Sequence, residues 1–322
     1  VLGSRISAID VVMKLKSSGH TGKISLFSRD GLLPSVLSNS VPAYPLQYLT
    51  LNNINQYKST NGQLPLKVLI NLFWKEVSQA ENKTVTFEQI IDSHKHYSAL
   101  ERLQKEIHQA ERGARPWQQV LFSLYPIIPH IWPSLSTQDQ QVFMQKYHSV
   151  FLTYLAAFPL DNAYQLKKLI ESGEVEVYGS LKSVTNKNGH FYITTQNTIS
   201  RSNHLFNATG PGYNASQYAL FQSMENQGLL KPHPCGGIAV NTNNHLVKTH
   251  DGQESFGLYA IGELTRGNFW ATTDMSQVNT QCNKVVPHLV DQIEATRIRA
   301  ARACSLKAQE PFRSVAALAA LP

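Results

Sequence analysis

The chain has 322 residues, 42% of them hydrophobic and 16% charged, with a formal net charge of +7 and an isoelectric point of about 9.2. This is a globular composition, long enough for two domains, and it excludes a disordered or fibrous chain. The basic balance is compatible with nucleic acid, a membrane surface or an anionic cofactor, but no dense run of lysine and arginine occurs, which argues against a nucleic-acid tail.

The chain opens on Val1-Leu2-Gly3-Ser4-Arg5-Ile6-Ser7-Ala8-Ile9-Asp10. Gly3, Arg5 and Ala8 occupy the three positions of a G-x-G-x-x-[GA] dinucleotide fingerprint, with arginine in place of the second glycine. Only two residues precede the turn, too few to predict a strand, so the chain begins inside a nucleotide-binding unit. Ile6–Leu15 reads as a helix closed near Gly19, and Lys23–Ser28 reads as a strand; with the fingerprint they form half of a βαβ unit.

Residues 35–62, rich in Ser, Asn, Pro and Tyr, read as an irregular loop. Leu66–Val77 has helical spacing. Thr86 followed by Gln89 is a capping box and predicts one long helix to Arg112. Pro116 starts another helix, and Thr137 with Gln140 predicts a third through about Ala157. Residues 35–162 are therefore expected to form a mostly helical insert, ended by Phe158-Pro159. Asn162–Ser172 reads as a short helix closed by Gly173. Val175–Gly179, Leu181–Thr185, Phe191–Thr195 and Thr198–Ser200 then read as a β-meander turning at Asn188-Gly189. A strand ending in Ala208-Thr209-Gly210-Pro211 follows. In the last third, Gly257–Glu263 reads as a strand ending on a glycine, Val278–Ile293 as a helix, and 296–322 as a tail.

The second glycine of a fingerprint keeps side chains away from the pyrophosphate. Arg5 leaves two readings open: its guanidinium bends away and pairs with phosphate, or it fills or flanks a site that no longer binds. Ser28-Arg29 ends the strand where an adenosine ribose is read. No acid stands at either position, so a 2′-phosphate, and hence NADP, is favoured over NAD, the alternative being a surface arginine in a turn; Asp30 lies just past the strand. The glycine of Tyr259-Ala260-Ile261-Gly262-Glu263 suits close backbone approach to a cofactor.

Cys235, Cys282 and Cys304 form no CxxC, which excludes a zinc or dithiol motif, and so low a count fits a reducing cytosol. The twelve histidines show no metal-ligand spacing, and His94 and His96, two apart on the predicted long helix, face different sides. No metal is expected, and no G-x-S-x-G occurs. No signal peptide is visible and the longest apolar stretches are too short to span a bilayer, so the expected location is cytoplasmic.

Taken together, the motifs resemble the FAD/NAD(P)-binding oxidoreductases of the two-dinucleotide-domain class, close to a flavin-dependent hydroxylase-like group. Gly3–Asp10 is similar to that group's G-T-G-x-T-A-x-D. Ser28-Arg29-Asp30-Gly31-Leu32-Leu33-Pro34 is similar to its S-R-x-G-L-L-P, and Trp117 and Trp132 to a tryptophan spacing in its helical insert. Asn207–Pro211 matches its N-x-T-G-P, and Leu258–Trp270 its closing segment. The resemblance implies an α/β fold: a Rossmann-like NAD(P) domain (1–34 and 163–212) carrying the insert, then the C-terminal portion of an FAD domain (213–295). It implies NADP at Gly3, Ser4, Arg5, Ser7, Ala8, Ser28 and Arg29. It implies a bound nucleotide beside Thr209, Gly210 and Pro211, where a strand crosses back under it, and FAD near Gly262, Glu263, Leu264, Gly267, Trp270 and Thr272, with Asp274 also near the flavin and no catalytic base named. The activity implied is hydride transfer from NADPH to FAD and on to oxygen or a small substrate. The first FAD fingerprint is expected on a preceding segment or a partner chain. The alternative is a degenerate, non-catalytic nucleotide-binding or scaffold homologue. Neither nucleic acid nor membrane is an expected partner.

Overall fold

The structure is a computed structural model describing residues 1–90, 97–210, 212, 214–272 and 274–318, with side chains to residue 302. Pro211, His94 and His96 lie outside the described residues. The fold is mixed helix and strand with small sheets, and it divides into two compact units, Val1–Gly212 and Tyr213–Pro322.

At the centre of the first unit, Leu2 has a parallel neighbour on each side. Its N–H donates to Phe206 O and its carbonyl accepts from Ala208 N–H, both at 2.8 Å. On the other flank Gly3 N–H donates to Phe27 O at 2.8 Å and Phe27 N–H donates to Val1 O at 2.9 Å. Strand β1 (Ile24–Phe27) pairs in turn with β2 (Val175–Tyr178), also parallel, with Ile24 opposite Val175. The order across is Asn207, Leu2, β1, β2. Two residues thus do the work of a strand: bonded on both edges, they need no run of β-formers of their own. Two residues too few to predict a strand from sequence are thus paired as one, and Gly3 is held by Phe27.

Helix α1 (Ile6–Ser17) links Leu2 to β1 and buries Ala8, Ile9 and Val12. Those residues share one core with Leu26, Phe158 and Val175, with Leu103 and Ile107 of the helix Ala99–Glu111, and with Leu166 of the helix Leu160–Glu171. Each large aliphatic side chain buried there contributes about 1.5–3 kcal/mol. Ala99–Glu111 belongs to the helical insert by sequence, yet its apolar face completes the core under the strands.

The insert differs from expectation in three places. The stretch read as irregular contains a short helix, Leu51–Gln56, whose first turn is capped by Thr50 accepting from Asn53 N–H at 3.2 Å. The expected single helix from Thr86 to Arg112 is not one helix. Thr86 and Gln89 do form a capping box, at 3.1 and 3.3 Å. A second box of Ser98 and Glu101 then starts Ala99–Glu111 afresh. A cap occupies the β region and cannot sit mid-helix, so two caps twelve residues apart mean two starts. Finally, Ser136, one residue before the expected cap, accepts from Asp139 N–H and opens Thr137–Lys146, and a separate helix follows over His148–Leu155. Within Leu66–Glu81, the fully buried Glu76 carboxylate accepts from the backbone of Gln47, Tyr48 and Leu49 at 2.7–3.1 Å, fixing the preceding loop.

The meander has three strands: β3 (Leu181–Lys187), β4 (His190–Thr195) and β5 (Ile199–Ser202), antiparallel in that order. Asn188 (φ 51°) and Gly189 (φ 77°) make the β3–β4 turn, the sequence pair that tolerates two positive φ values. The first of the four runs expected in the meander is instead β2.

The second unit has a two-stranded antiparallel ribbon, β6 (Leu246–Lys248) and β7 (Glu254–Tyr259), over a core of Leu230, Ile238, Val240 and Phe269. A helix spans Met275–Leu318, beginning earlier and running further than Val278–Ile293. His245 is fully buried, holds φ 63° and stacks on Phe269 at 4.8 Å, and among the described residues neither ring nitrogen has a well-formed hydrogen bond. No helix among the described residues is long and apolar enough to cross a membrane.

Burial, with Lys248 and Lys284 as lesser contributors, holds His233 and His245 respectively down to about 4 from an ordinary 6.5. Between those values the unfolded chain takes up protons that the folded chain refuses, so stability falls as pH falls through this window and levels below it. Urea midpoints measured from pH 7 to 4 are expected to fall less steeply for His245→Asn, which keeps a residue tolerant of positive φ but removes the titration. Identical slopes would show that His245 does not contribute.

Candidate functional site

The strand order reverses at Leu2: the chain runs from Leu2 outward to β1 and β2 on one side, then returns to Asn207 on the other. In open parallel sheets, ligands collect beyond the carboxyl ends of the strands at such a reversal. Gly3 and Thr209-Gly210 stand at that edge. Gly3 has φ 109°, and a Cβ there would sit 2.5 Å from Ala208 O. Glycine is required at position 3 by the approach of the neighbouring strand as well as by any ligand.

Helix α1 begins immediately beyond. No side chain caps it, no acid lies in its first turn, and Lys14 and Lys16 lie in its last. Ala8 and Ile9 N–H close onto Arg5 O at 2.9 and 3.0 Å. The N-terminal end therefore presents positive partial charge with neither a capping side chain nor a first-turn acid against it. Ser7 is exposed on this turn, whereas Ala8 is fully buried against the sheet, where a larger residue would force the helix off the strands.

The Arg5 guanidinium does bend away from the turn, but towards the insert. It donates to Thr153 Oγ1 at 2.9 Å, to Ser149 O at 2.8 Å and to Ser149 Oγ at 2.9 Å, with Asp30 Oδ2 at 3.7 Å. Ser4 is buried and donates to Leu32 O at 2.7 Å, so it fastens the loop after β1 and offers no group to a ligand. Ser28 Oγ accepts from Gly31 N–H at 2.9 Å within the same loop. Asp30 is exposed but engaged too, accepting from Leu32 N–H at 3.2 Å and from Ser149 Oγ at 3.3 Å. Arg29 is different: it is exposed, and its guanidinium has no hydrogen bond or ion pair among the described residues. Across the edge, the exposed Thr209 hydroxyl donates to Asn207 Oδ1 at 2.7 Å, and Gly210 follows at φ 80°.

In the second unit the closing segment is largely occupied by its own contacts. Gly262 (φ 66°) donates its N–H to Gln281 Oε1 at 2.7 Å and has open space where a Cβ would lie. Glu263 forms an ion pair with Arg266 and accepts from Thr272 Oγ1 at 3.0 Å, and Thr272 is buried. A Cβ on Gly267 would collide with the His233 ring and Gly236 O, so that glycine answers to packing. Leu264 packs against the core and its carbonyl accepts from Ile238 N–H at 2.7 Å. Trp270 is held at φ 61°, ψ −85°, a conformation that costs a bulky residue about 1–3 kcal/mol.

Sequence reasoning missed the partners of Arg5. Ser149 and Thr153 are four apart on one helical face, a spacing with no distinguishing mark until the arginine is seen between them. His233 and Gln281 carried no signal. Among the described residues no group of three His, Cys, Asp or Glu could hold a metal ion. No protein-family model matches the chain, and no curated protein matches it.

Arg5→Ala is expected to lower stability by about 2 kcal/mol through loss of its charged hydrogen bonds, read as a reduced urea midpoint; an unchanged midpoint would show that the tie is idle. Gly267→Ala is expected to cost about 1–3 kcal/mol by overpacking, and adding His233→Ala to recover part of it. Failure of that rescue would mean the clash lies with Gly236 alone.

Proposed function

We propose that this chain binds NADPH beyond the carboxyl ends of Leu2 and β1, as the NADP-binding part of a flavin-dependent oxidoreductase. The strand order Asn207–Leu2–β1–β2, with α1 as the crossover and the meander between β2 and Asn207, supports a Rossmann-like unit. The observation that carries the choice of nucleotide is the contrast between Arg29 and Asp30. Arg29 is exposed and uncommitted, suited to a 2′-phosphate. Asp30, also exposed, is already engaged by Ser149, Leu32 and Arg5, which leaves it less suited to bond a ribose 2′-hydroxyl.

The uncapped start of α1 would hold the pyrophosphate through backbone N–H groups, with Ser7 beside it. Gly3 and Gly210 leave room at the strand ends, and Arg29 would orient the adenosine end. Bound NADPH supplies a hydride. The closing segment fits FAD less well: Glu263 and Thr272 are bonded to each other, and Gly267 is filled by His233.

The commitment of Arg5 to Ser149 and Thr153 favours a second reading, a nucleotide-binding module without turnover, because a residue at the fingerprint's second position serves the fold. Thermal melts separate the readings from failure. NADPH at a hundredfold excess over its dissociation constant is expected to stabilise by about 2.7 kcal/mol, NADH by much less, and Arg29→Ala is expected to erase the difference. Equal effects of NADPH and NADH, or none from either, would overturn the NADP assignment. A yellow protein that oxidises NADPH would exclude the module without turnover.

A further inference from the structure

A cavity of about 870 Å³ opens within the first unit, walled by the loop from Leu32 to Ser35 and by the helices of the insert. That volume is in the range of small-molecule sites. Among the described residues, seven of the twenty-eight that line it are aromatic, a quarter of them against 9% of the chain. Their rings meet edge to face and tilted: Trp117 and Tyr154 at 5.2 Å, Trp74 and Phe87 at 6.4 Å, Phe73 and Phe151 at 4.9 Å. Such an arrangement leaves faces and edges for a further ring.

The polar part of the wall is built and braced. Glu106 accepts from Arg115 Nη1 at 2.7 Å, from Ser35 Oγ at 2.7 Å and from Val36 N–H at 3.0 Å. Arg115, itself buried, lies over the Trp117 ring at 4.7 Å. Arg102 is fixed by donation to Gly31 O at 2.9 Å. Burial, with Glu106 nearby, pushes the Tyr154 hydroxyl above its ordinary range, so it stays protonated and can donate. Among the described residues, four cationic side chains (Lys83, Arg102, Lys105 and Arg115) line the cavity against two carboxylates, Glu81 and Glu106.

We infer that this cavity is a binding site for a planar aromatic carboxylate, its rings between the aromatic walls and its anionic group beside the lining cations. The inference does not rest on the nucleotide reading, which concerns the strand ends. The two places do share a border: Thr153 and Leu32 line the cavity, and they also accept from Arg5 and Ser4 of the fingerprint.

The test uses 2-naphthoate and its neutral isostere 2-naphthamide, titrated calorimetrically into the whole chain without nucleotide. Naphthoate is expected to bind at least tenfold more tightly than the amide and to quench tryptophan fluorescence, less so in Trp74→Phe. Lys105→Ala, at an exposed position, is expected to narrow the gap between acid and amide with no change in melting temperature. Val150→Trp, which fills the cavity from a half-buried wall position, is expected to weaken both ligands at least tenfold. Equal affinity for acid and amide would overturn the charge assignment. Absence of binding at millimolar naphthoate, or binding unaffected by Val150→Trp in a protein that melts normally, would overturn the site. A chain that binds naphthoate but not NADPH would leave this inference standing and remove the nucleotide reading, and the converse would do the opposite.

Discussion

The first unit depends on the hydrogen bonding of Leu2. One residue is bonded to the 206–208 segment on one side, and its neighbours Val1 and Gly3 are bonded to Phe27 on the other. This brings together stretches of chain roughly two hundred residues apart in sequence and fixes where the strand order reverses. Everything at the candidate nucleotide edge inherits its position from that ladder. Gly3 must be glycine because Ala208 is so near, α1 must start where it does because Leu2 ends there, and Arg29 lies at the edge because β1 is the next strand. A parallel pairing of this kind is slow to assemble, since the loop entropy is lost before the contacts form.

The helical insert is a working part of that arrangement. Its helix Ala99–Glu111 gives Leu103 and Ile107 to the core beneath the strands. Its helix His148–Leu155 takes the Arg5 guanidinium. Both of these helices, with Leu66–Glu81 and Pro116–Ser123, wall the aromatic cavity. Apolar burial supplies most of the stability, while the charged groups between insert and sheet, Arg5 with Asp30 and Arg115 with Glu106, set position more than they add energy.

Much of this was legible in the residues, and the exceptions have local causes. Helix α1, strand β1 and the helix opened by Pro116 followed from periodicity and punctuation. The Asn188-Gly189 turn needed only those two residues. Leu2 could not be read as a strand because its conformation is imposed by neighbours distant in sequence, which no local preference records. The break before Ser98 was legible in principle, as Ser98 and Glu101 are a capping box, but an apolar period running through it from Ile90 to Ile107 hid the signal. Of the candidate site, the glycines and Arg29 were found as motif positions. The roles of Ser4, Asp30 and Glu263 were not, because each carries a polar group whose partner comes from the fold and not from the motif.

The tie between Arg5 and the helix His148–Leu155 has a bearing on how such chains diverge. A glycine at position 5 would restore the usual fingerprint and leave the Ser149 and Thr153 acceptors, 144 and 148 residues away, without their donor. An arginine without those acceptors would put a charge over the turn with nothing to hold it aside. The two places are bound to change together. Relatives of this chain are therefore expected to fall into two sets, arginine with a hydroxyl pair one helical turn apart, or glycine with that pair released to other residues, and a chain of mixed type would be the less stable.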